Sequence, residues 1–199
     1  MAVDGLVLAP GLAAQARAGA ALSPGRALPS ADAELRHAVA EHLDLVWRVL
    51  RRGGLSPADA EDAAQDVFWV LAQRRADVPE RARRAFLVST ALRVAADRRR
   101  SKWSRAVDTG LDLDEQSCPA RGADELLDLR RAAELLDRAL AGLDEQDRAI
   151  YIMAELEQLS RSEVAEALAI PKGTVASRLR RAREAFEAAV RRLHRGARS

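Results

Sequence analysis

From Asp32 onward, apolar residues recur at the helical period of about 3.6, and no stretch alternates with period two. A chain with only amphipathic helical signals must bury its apolar stripes helix against helix. Composition agrees: 48% of residues are apolar but only 4% aromatic, and the abundant Ala and Leu favour helix over sheet. The first stripe is Leu35, Val39, Leu43, Val46 and Leu50, ended by Gly53-Gly54. Ser56-Pro57 reads as an N-cap followed by proline in the first helical position, and predicts a second helix to about Arg75. A third is predicted from about Arg81 to Trp103, after which the period is lost. A fourth begins near Asp124, with Leu129, Ala133, Leu136 and Leu140 as its stripe, and stops at Gly142. Asp144 caps a fifth that runs to about Gln158. Ser160, with Glu163 three residues on, is a capping box for a sixth. The seventh starts between Pro171 and Thr174 and buries Val175, Leu179, Ala182, Phe186 and Val190. The predicted fold is all-α: a three-helix domain over 31–104, a polar linker over 105–123, and a four-helix domain with a helix-turn-helix over 124–195. The Ala/Gly/Pro-rich segment 1–30, broken by Pro10, Pro24 and Pro29, reads as a disordered tail.

Several function classes fall away. Cys118 is the single cysteine, which excludes an internal disulfide and a cysteine-based zinc site. His37, His42 and His194 sit at no metal-ligand spacing, and no Gly-rich phosphate loop or nucleophile elbow is present, so neither an enzyme nor a cofactor is expected. No apolar run reaches the roughly 18 residues of a membrane span, and no basic stretch precedes an apolar one as in a signal peptide. A cytoplasmic protein is the expectation. The 32 basic and 30 acidic residues nearly cancel, but they are segregated along the chain. Of the basic residues only Lys102 and Lys172 are lysine, and arginine suits bidentate phosphate and guanine contacts.

Three charged faces stand out. From Pro57 to Gln73 there are four acids and no base. At about 100° per residue, Asp59, Asp62, Asp66 and Trp69 fall opposite the apolar stripe, with Gln65 beside them. Acids alone suit a solvated face; a tryptophan among them suits a protein contact with a basic partner. On the third helix Phe86, Arg93 and Arg100 repeat every seven residues opposite the core face, flanked by Ser89 and Asp97. Those arginines either offset the helix dipole or grip phosphates while Phe86, with Trp103, stacks on exposed bases. From Lys172 to Ser199 nine basic residues face two acids. Opposite the last stripe lie Thr174, Ser177, Arg180, Arg181 and Glu184, short hydroxyls then arginines, as a recognition helix in the major groove requires. The competing reading is an amphipathic helix whose arginines are only solvated.

These elements in this order resemble the extracytoplasmic-function branch of the bacterial sigma-70 family. "ADAEDAAQDVFWVLAQ" is similar to the family's polymerase-binding helix, whose pattern runs D-A-E-D-x-x-Q-x-x-F, and "RAFLVSTALRVAADRRR" to its promoter-melting helix. "LAGLDEQDRAIYIMAELEQLSRSEVAEALAIPKGTVASRLRRARE" resembles its second domain, with the core G-T-V-x-S-R-L-x-R-A-R. The resemblance covers residues 32 to about 193. It implies a promoter-specificity subunit whose Asp59, Glu61, Asp62, Gln65, Asp66 and Trp69 dock on core RNA polymerase. It further implies capture of the melted −10 element by Arg84, Phe86, Arg93, Asp97 and Arg100. Lys172, Thr174, Ser177, Arg178, Arg180 and Arg181 would read the −35 duplex, with Arg178, at the flank, holding a phosphate. An anti-sigma factor is the further partner it implies. Two departures are visible: Phe86, Val88 and Arg93 stand where the family often has an aromatic pair and an asparagine, and Ala176 where a lysine is common. Two other readings remain: a stand-alone helix-turn-helix regulator, which has no need of the acidic face, and a sigma-like interaction protein without initiation activity.

Overall fold

The computed structural model describes residues 31–109 and 124–196. The expectations for the tail at 1–30, for the linker over 110–123 and for Cys118 fall outside the described residues. Among the described residues there are seven α-helices and no strand: α1 (Ala31–Arg52), α2 (Pro57–Arg74), α3 (Glu80–Thr109), α4 (Asp124–Ala141), α5 (Glu145–Tyr151), α6 (Arg161–Leu168) and α7 (Lys172–Gly196). Helices α1, α2 and α3 pack on one another, and α7 packs on α4, α5 and α6. The two groups also touch, chiefly where α3 meets α6 and where α1 meets α4.

Local chemistry explains most of the boundaries. At the end of α1, Leu55 N–H donates to Leu50 O and Gly54 N–H to Arg51 O, the paired bonds of a Schellman stop. Gly54 holds the left-handed conformation that this stop requires, at φ +94°. Gly53 serves another purpose: a Cβ there would lie 2.6 Å from the Ala95 Cβ, so its bare backbone lets α1 approach α3. Ser56 then caps α2, its hydroxyl accepting from the Asp59 N–H at 3.2 Å. The Asp144 carboxylate accepts from the N–H groups of Gln146 and Asp147, both at 2.9 Å, and starts α5. Ser160 and Glu163 form the reciprocal capping box of α6. That helix ends in a second Schellman stop, with Ile170 N–H on Ala165 O and Ala169 N–H on Glu166 O. Here the left-handed residue is Ala169, at φ 55°, where glycine is usual.

Three expectations need correction. The third helix does not end at Trp103 but runs to Thr109. Residues 104–109 contain neither proline nor glycine, and the stop signal is Gly110. The fifth helix does not continue as an α-helix to Gln158: after Tyr151 it widens into a π-helical turn, Ile152–Leu156, closed by Glu157 N–H on Ile152 O at 2.9 Å. The extra residue in that turn rotates the succeeding residues by about 100°, and Glu157 meets arginines of α1 and α3. On α1 the stripe drifts: Ala38, Leu45, Val46, Val49 and Leu50 are buried, while Leu43 is 44% exposed.

The cores of the two helix groups merge into one apolar cluster. Val46, Leu50, Val67 and Leu87 belong to it on one side, and Leu140, Ile150, Met153, Val164 and Val175 on the other. Across the join, the buried Arg148 guanidinium donates to Ala141 O at 3.0 Å and Leu143 O at 3.3 Å, and reaches Gly53 O at 3.5 Å. Arg99 donates to the same Gly53 carbonyl at 2.8 Å. Burial, then the neighbouring Arg99 charge, brings the Arg148 pKa down to about 10, so it stays protonated at neutral pH. No helix among the described residues is long and apolar enough to cross a membrane.

Candidate nucleic-acid interface

The acidic face of α2 is only partly free. Asp59 pairs with Lys102, and Asp66 with Arg98 at 2.5 Å, so α3 neutralises two of the four acids internally. Asp59 lies below the usual carboxylate range: desolvation opposes this, but hydrogen bonds from Lys102 and Ser56 outweigh it. Glu61, Asp62 and Gln65 remain exposed, and Trp69 is 66% exposed. A large indole left in water beside two exposed carboxylates has the composition that suits a protein contact.

The α3 surface departs from the sequence expectation at its centre. Phe86 is buried, not available for stacking, and so is Ser89, whose hydroxyl donates to Phe86 O at 3.0 Å. The cause is tertiary. All eight residues from Ala85 to Leu92 are buried, because α3 is covered by α1 and α2 on one side and by the second helix group on the other. The exposed aromatic of this helix is Trp103, at 67%. Arg93 is half-buried with its Nε unpartnered, and burial lowers its pKa despite the opposing charge of Asp97. Arg84 and Arg100 lie at the surface but are engaged: Arg84 Nη2 donates to Glu157 at 3.3 Å, and Arg100 bridges Asp97 and Glu145, the latter at 2.6 Å. Sequence reasoning missed Glu145 and Glu157 as neighbours of these arginines. Their partners lie 45 and 73 positions away, where no local signal reaches.

The α7 surface is the most open. Lys172, Ser177 and Arg180 are exposed, and Thr174 and Arg178 are half-exposed. Ser177, Arg178, Arg180, Arg181 and Glu184 line a shallow groove along the helix. The Ser177 hydroxyl donates back to Thr174 O at 3.1 Å, which leaves its lone pairs outward. Arg181 differs from its neighbours: its Nε and Nη2 donate to the two oxygens of buried Asp147, at 2.6 and 2.7 Å. This fork-on-fork pair fixes the guanidinium plane and engages two of its five N–H groups, so the outward edge is held in one orientation while part of its charge is already balanced. The ring of Tyr151 stacks on Phe186 at 4.5 Å, tying the middle of α7 to α5.

Comparison with known proteins matches both halves. The family described as "Sigma-70 region 2" matches residues 38–105, and "Sigma-70, region 4" matches residues 133–186. The protein called ECF RNA polymerase sigma factor SigL, from Mycobacterium tuberculosis, is 29% identical over 155 residues, 77% of this chain and 86% of that protein. Two solved structures share the fold. One is the sigma factor RpoE with the anti-sigma factor NepR from Bartonella quintana (TM-score 0.62, 18% identity, 79% of this chain and 97% of that one). The other is CnrH with the cytosolic domain of CnrY (TM-score 0.55, 22% identity, 89% of this chain and 93% of that one). With both regions matched in order, and each carrying its charged face on the matched helices, the chain belongs to the sigma-70 family, in its extracytoplasmic-function branch.

Proposed function

We propose a division of labour within a factor that binds core RNA polymerase and directs promoter-specific initiation. Glu61, Asp62, Gln65 and Trp69 on α2 make the polymerase contact, while Asp59 and Asp66 serve mainly to hold α2 against α3. Arg84, Arg93, Asp97 and Arg100 face the −10 element, and Trp103 takes the stacking role for which Phe86 is too deeply buried. On α7, Arg180 and Ser177 read base edges in the −35 major groove. Lys172, Thr174, Arg178 and Arg181 hold phosphates around them. The observation that carries the reading is the pairing, in one chain, of an outward arginine face on a helix-turn-helix with an exposed acid-and-tryptophan face on α2.

The chain supplies no chemical step of its own; bond formation stays with the polymerase, and the complex works in the cytoplasm. By analogy with the structural neighbour bound to the anti-sigma factor NepR, an anti-sigma protein is the natural antagonist. The test combines purified chain, core polymerase and a genomic DNA library, with the transcripts sequenced. Promoter-specific transcripts that require the chain support the reading. Tight, sequence-specific duplex binding in the absence of polymerase overturns it.

A further inference from the structure

Asp147 is 3% exposed, and the guanidinium that meets it belongs to Arg181, a residue of the outward face of α7. Its Oδ2 accepts from Nε at 2.6 Å and its Oδ1 from Nη2 at 2.7 Å. The anchor is itself fixed. Asp147 lies in the first turn of α5, where unpaired backbone N–H groups favour a carboxylate, and its own N–H donates to Asp144 at 2.9 Å. A guanidinium is planar and carries its five N–H groups in a rigid fork. With the Nε/Nη2 edge on Asp147, the Nη1/Nη2 edge keeps two parallel N–H groups directed away from the carboxylate. Arg181 lines the same shallow groove as Ser177, Arg178, Arg180 and Glu184. One residue earlier, Arg180 has no carboxylate anchor among the described residues.

We infer that Asp147 is a positioning residue for DNA binding, which presents the free edge of Arg181, already oriented, to a backbone phosphate of the duplex. The inference rests on the promoter reading above for the presence of duplex against α7. Two effects of Asp147 oppose one another. Its charge cancels part of the Arg181 charge, which weakens the long-range attraction to DNA. Its fork-on-fork grip acts the other way. An arginine that seizes a phosphate gives up rotamer freedom, and here that freedom is given up when α7 packs on α5. A bidentate phosphate contact needs both N–H groups in one plane at once, so at contact distance orientation outweighs the lost charge. Asp147 touches no DNA; it acts through Arg181.

The test compares Asp147→Asn with Glu184→Gln in the full chain. Each removes one negative charge, and Glu184 is exposed in the same groove. Binding is measured over a salt series on two labelled duplexes, one of random sequence and one the promoter recovered by the transcript sequencing above. Asp147→Asn should weaken both by about fivefold or more, with a salt slope shallower by about one. Glu184→Gln should tighten both, the simple Coulomb result. Tighter binding by both variants overturns the inference, and so does weaker binding by both. A loss confined to the promoter duplex also overturns it, since the free edge then meets a base. In an Arg181→Ala chain, adding Asp147→Asn should change affinity by less than about twofold; an undiminished loss removes Arg181 from the effect and sinks the idea. Arg181→Lys keeps the charge but has no second edge, and should lose at least as much binding as Asp147→Asn. Parent-like binding by Arg181→Lys overturns the inference even if circular dichroism shows Asp147→Asn unfolded. A last readout needs no DNA: the Arg181 Nε–H nuclear magnetic resonance signal, assigned by its loss in Arg181→Lys, should exchange slowly in the parent and fast in Asp147→Asn. Fast exchange in the parent refutes the fixed orientation. The random duplex and the exchange measurement do not depend on initiation. A chain that meets both but never directs transcription would refute the promoter reading and leave the role of Asp147 standing.

Discussion

Helices α3 and α7 carry the two most arginine-rich stretches of the chain, but their surroundings differ sharply. The α3 arginines are met by acids from elsewhere in the fold: Arg98 by Asp66, Arg84 by Glu157, Arg99 and Arg100 by Glu145. On the outward face of α7, Arg180 stands in water and only Arg181 is tied down, by Asp147. Charge along the sequence therefore says where a polyanion could bind, while the distribution of carboxylates in space says which site is open first. The outward face of α7 is open as it stands, whereas the arginines of α3 are already paired.

The comparison can be broken most severely through the cores. Leu87 and Ile150 are both fully buried, one in each helix group, and truncation of either to Ala should cost about 2–5 kcal/mol. Because the two groups share one apolar cluster, thermal unfolding of either variant should remain a single transition. Two separated transitions, with only one shifted, would mean that the halves fold independently. The next effect concerns recognition. Arg180→Ala should lower discrimination at one −35 position by about 1–3 kcal/mol. Arg181→Ala should instead weaken binding to all sequences alike and flatten the salt dependence. Equal sequence effects for the two variants would erase the distinction drawn between free and pinned arginines. The acidic face offers a test of whole-protein assembly: Glu61→Lys with Asp62→Lys, both exposed, should abolish polymerase binding while the thermal midpoint stays put.

Smaller effects lie in the second half alone. Ala169→Gly relieves a left-handed alanine and should stabilise the helix-turn-helix by up to about 1 kcal/mol, read as a rise in thermal midpoint. Acid should act at its caps. Ser160 hydrogen bonds hold Glu163 below its ordinary pKa, and at Asp144 the N–H groups of Asp147 and Gln146 achieve the same against partial desolvation. A depressed carboxylate contributes stability above its unfolded pKa, about 4, and loses it as pH falls through the lower folded value. Stability should thus decline below about pH 4.5, and Ser160→Ala should remove part of that dependence. A flat profile between pH 5 and 3 would contradict the capping assignment.

How much of this was legible in the sequence depends on distance along the chain. The caps at Ser56, Asp144 and Ser160, the stop at Gly53-Gly54 and the order of the charged faces were legible because each is encoded within a few residues. Phe86 was misread because helical periodicity assigns one buried face, and α3 is covered on two. Arg181 looked unpartnered because its Asp147 partner is 34 positions upstream. Glu157 gave no signal at all: a lone acid after an apolar run looks solvated, and the π-helical turn that points it inward has no sequence signature. The left-handed Ala169 was equally silent, since an alanine there contradicts the residue preference for that conformation.

The Gly53 carbonyl, at the C-terminal end of α1, accepts from one arginine of each half: Arg99 at 2.8 Å and Arg148 at 3.5 Å. Were the halves to part, Gly53 would keep the shorter of these bonds. Arg148 would keep Ala141 and Leu143, both within its own half. No backbone group at this point of the seam is orphaned by separation. The carbonyl is therefore insured twice, and the C-terminal end of α1 is satisfied from both sides of the seam.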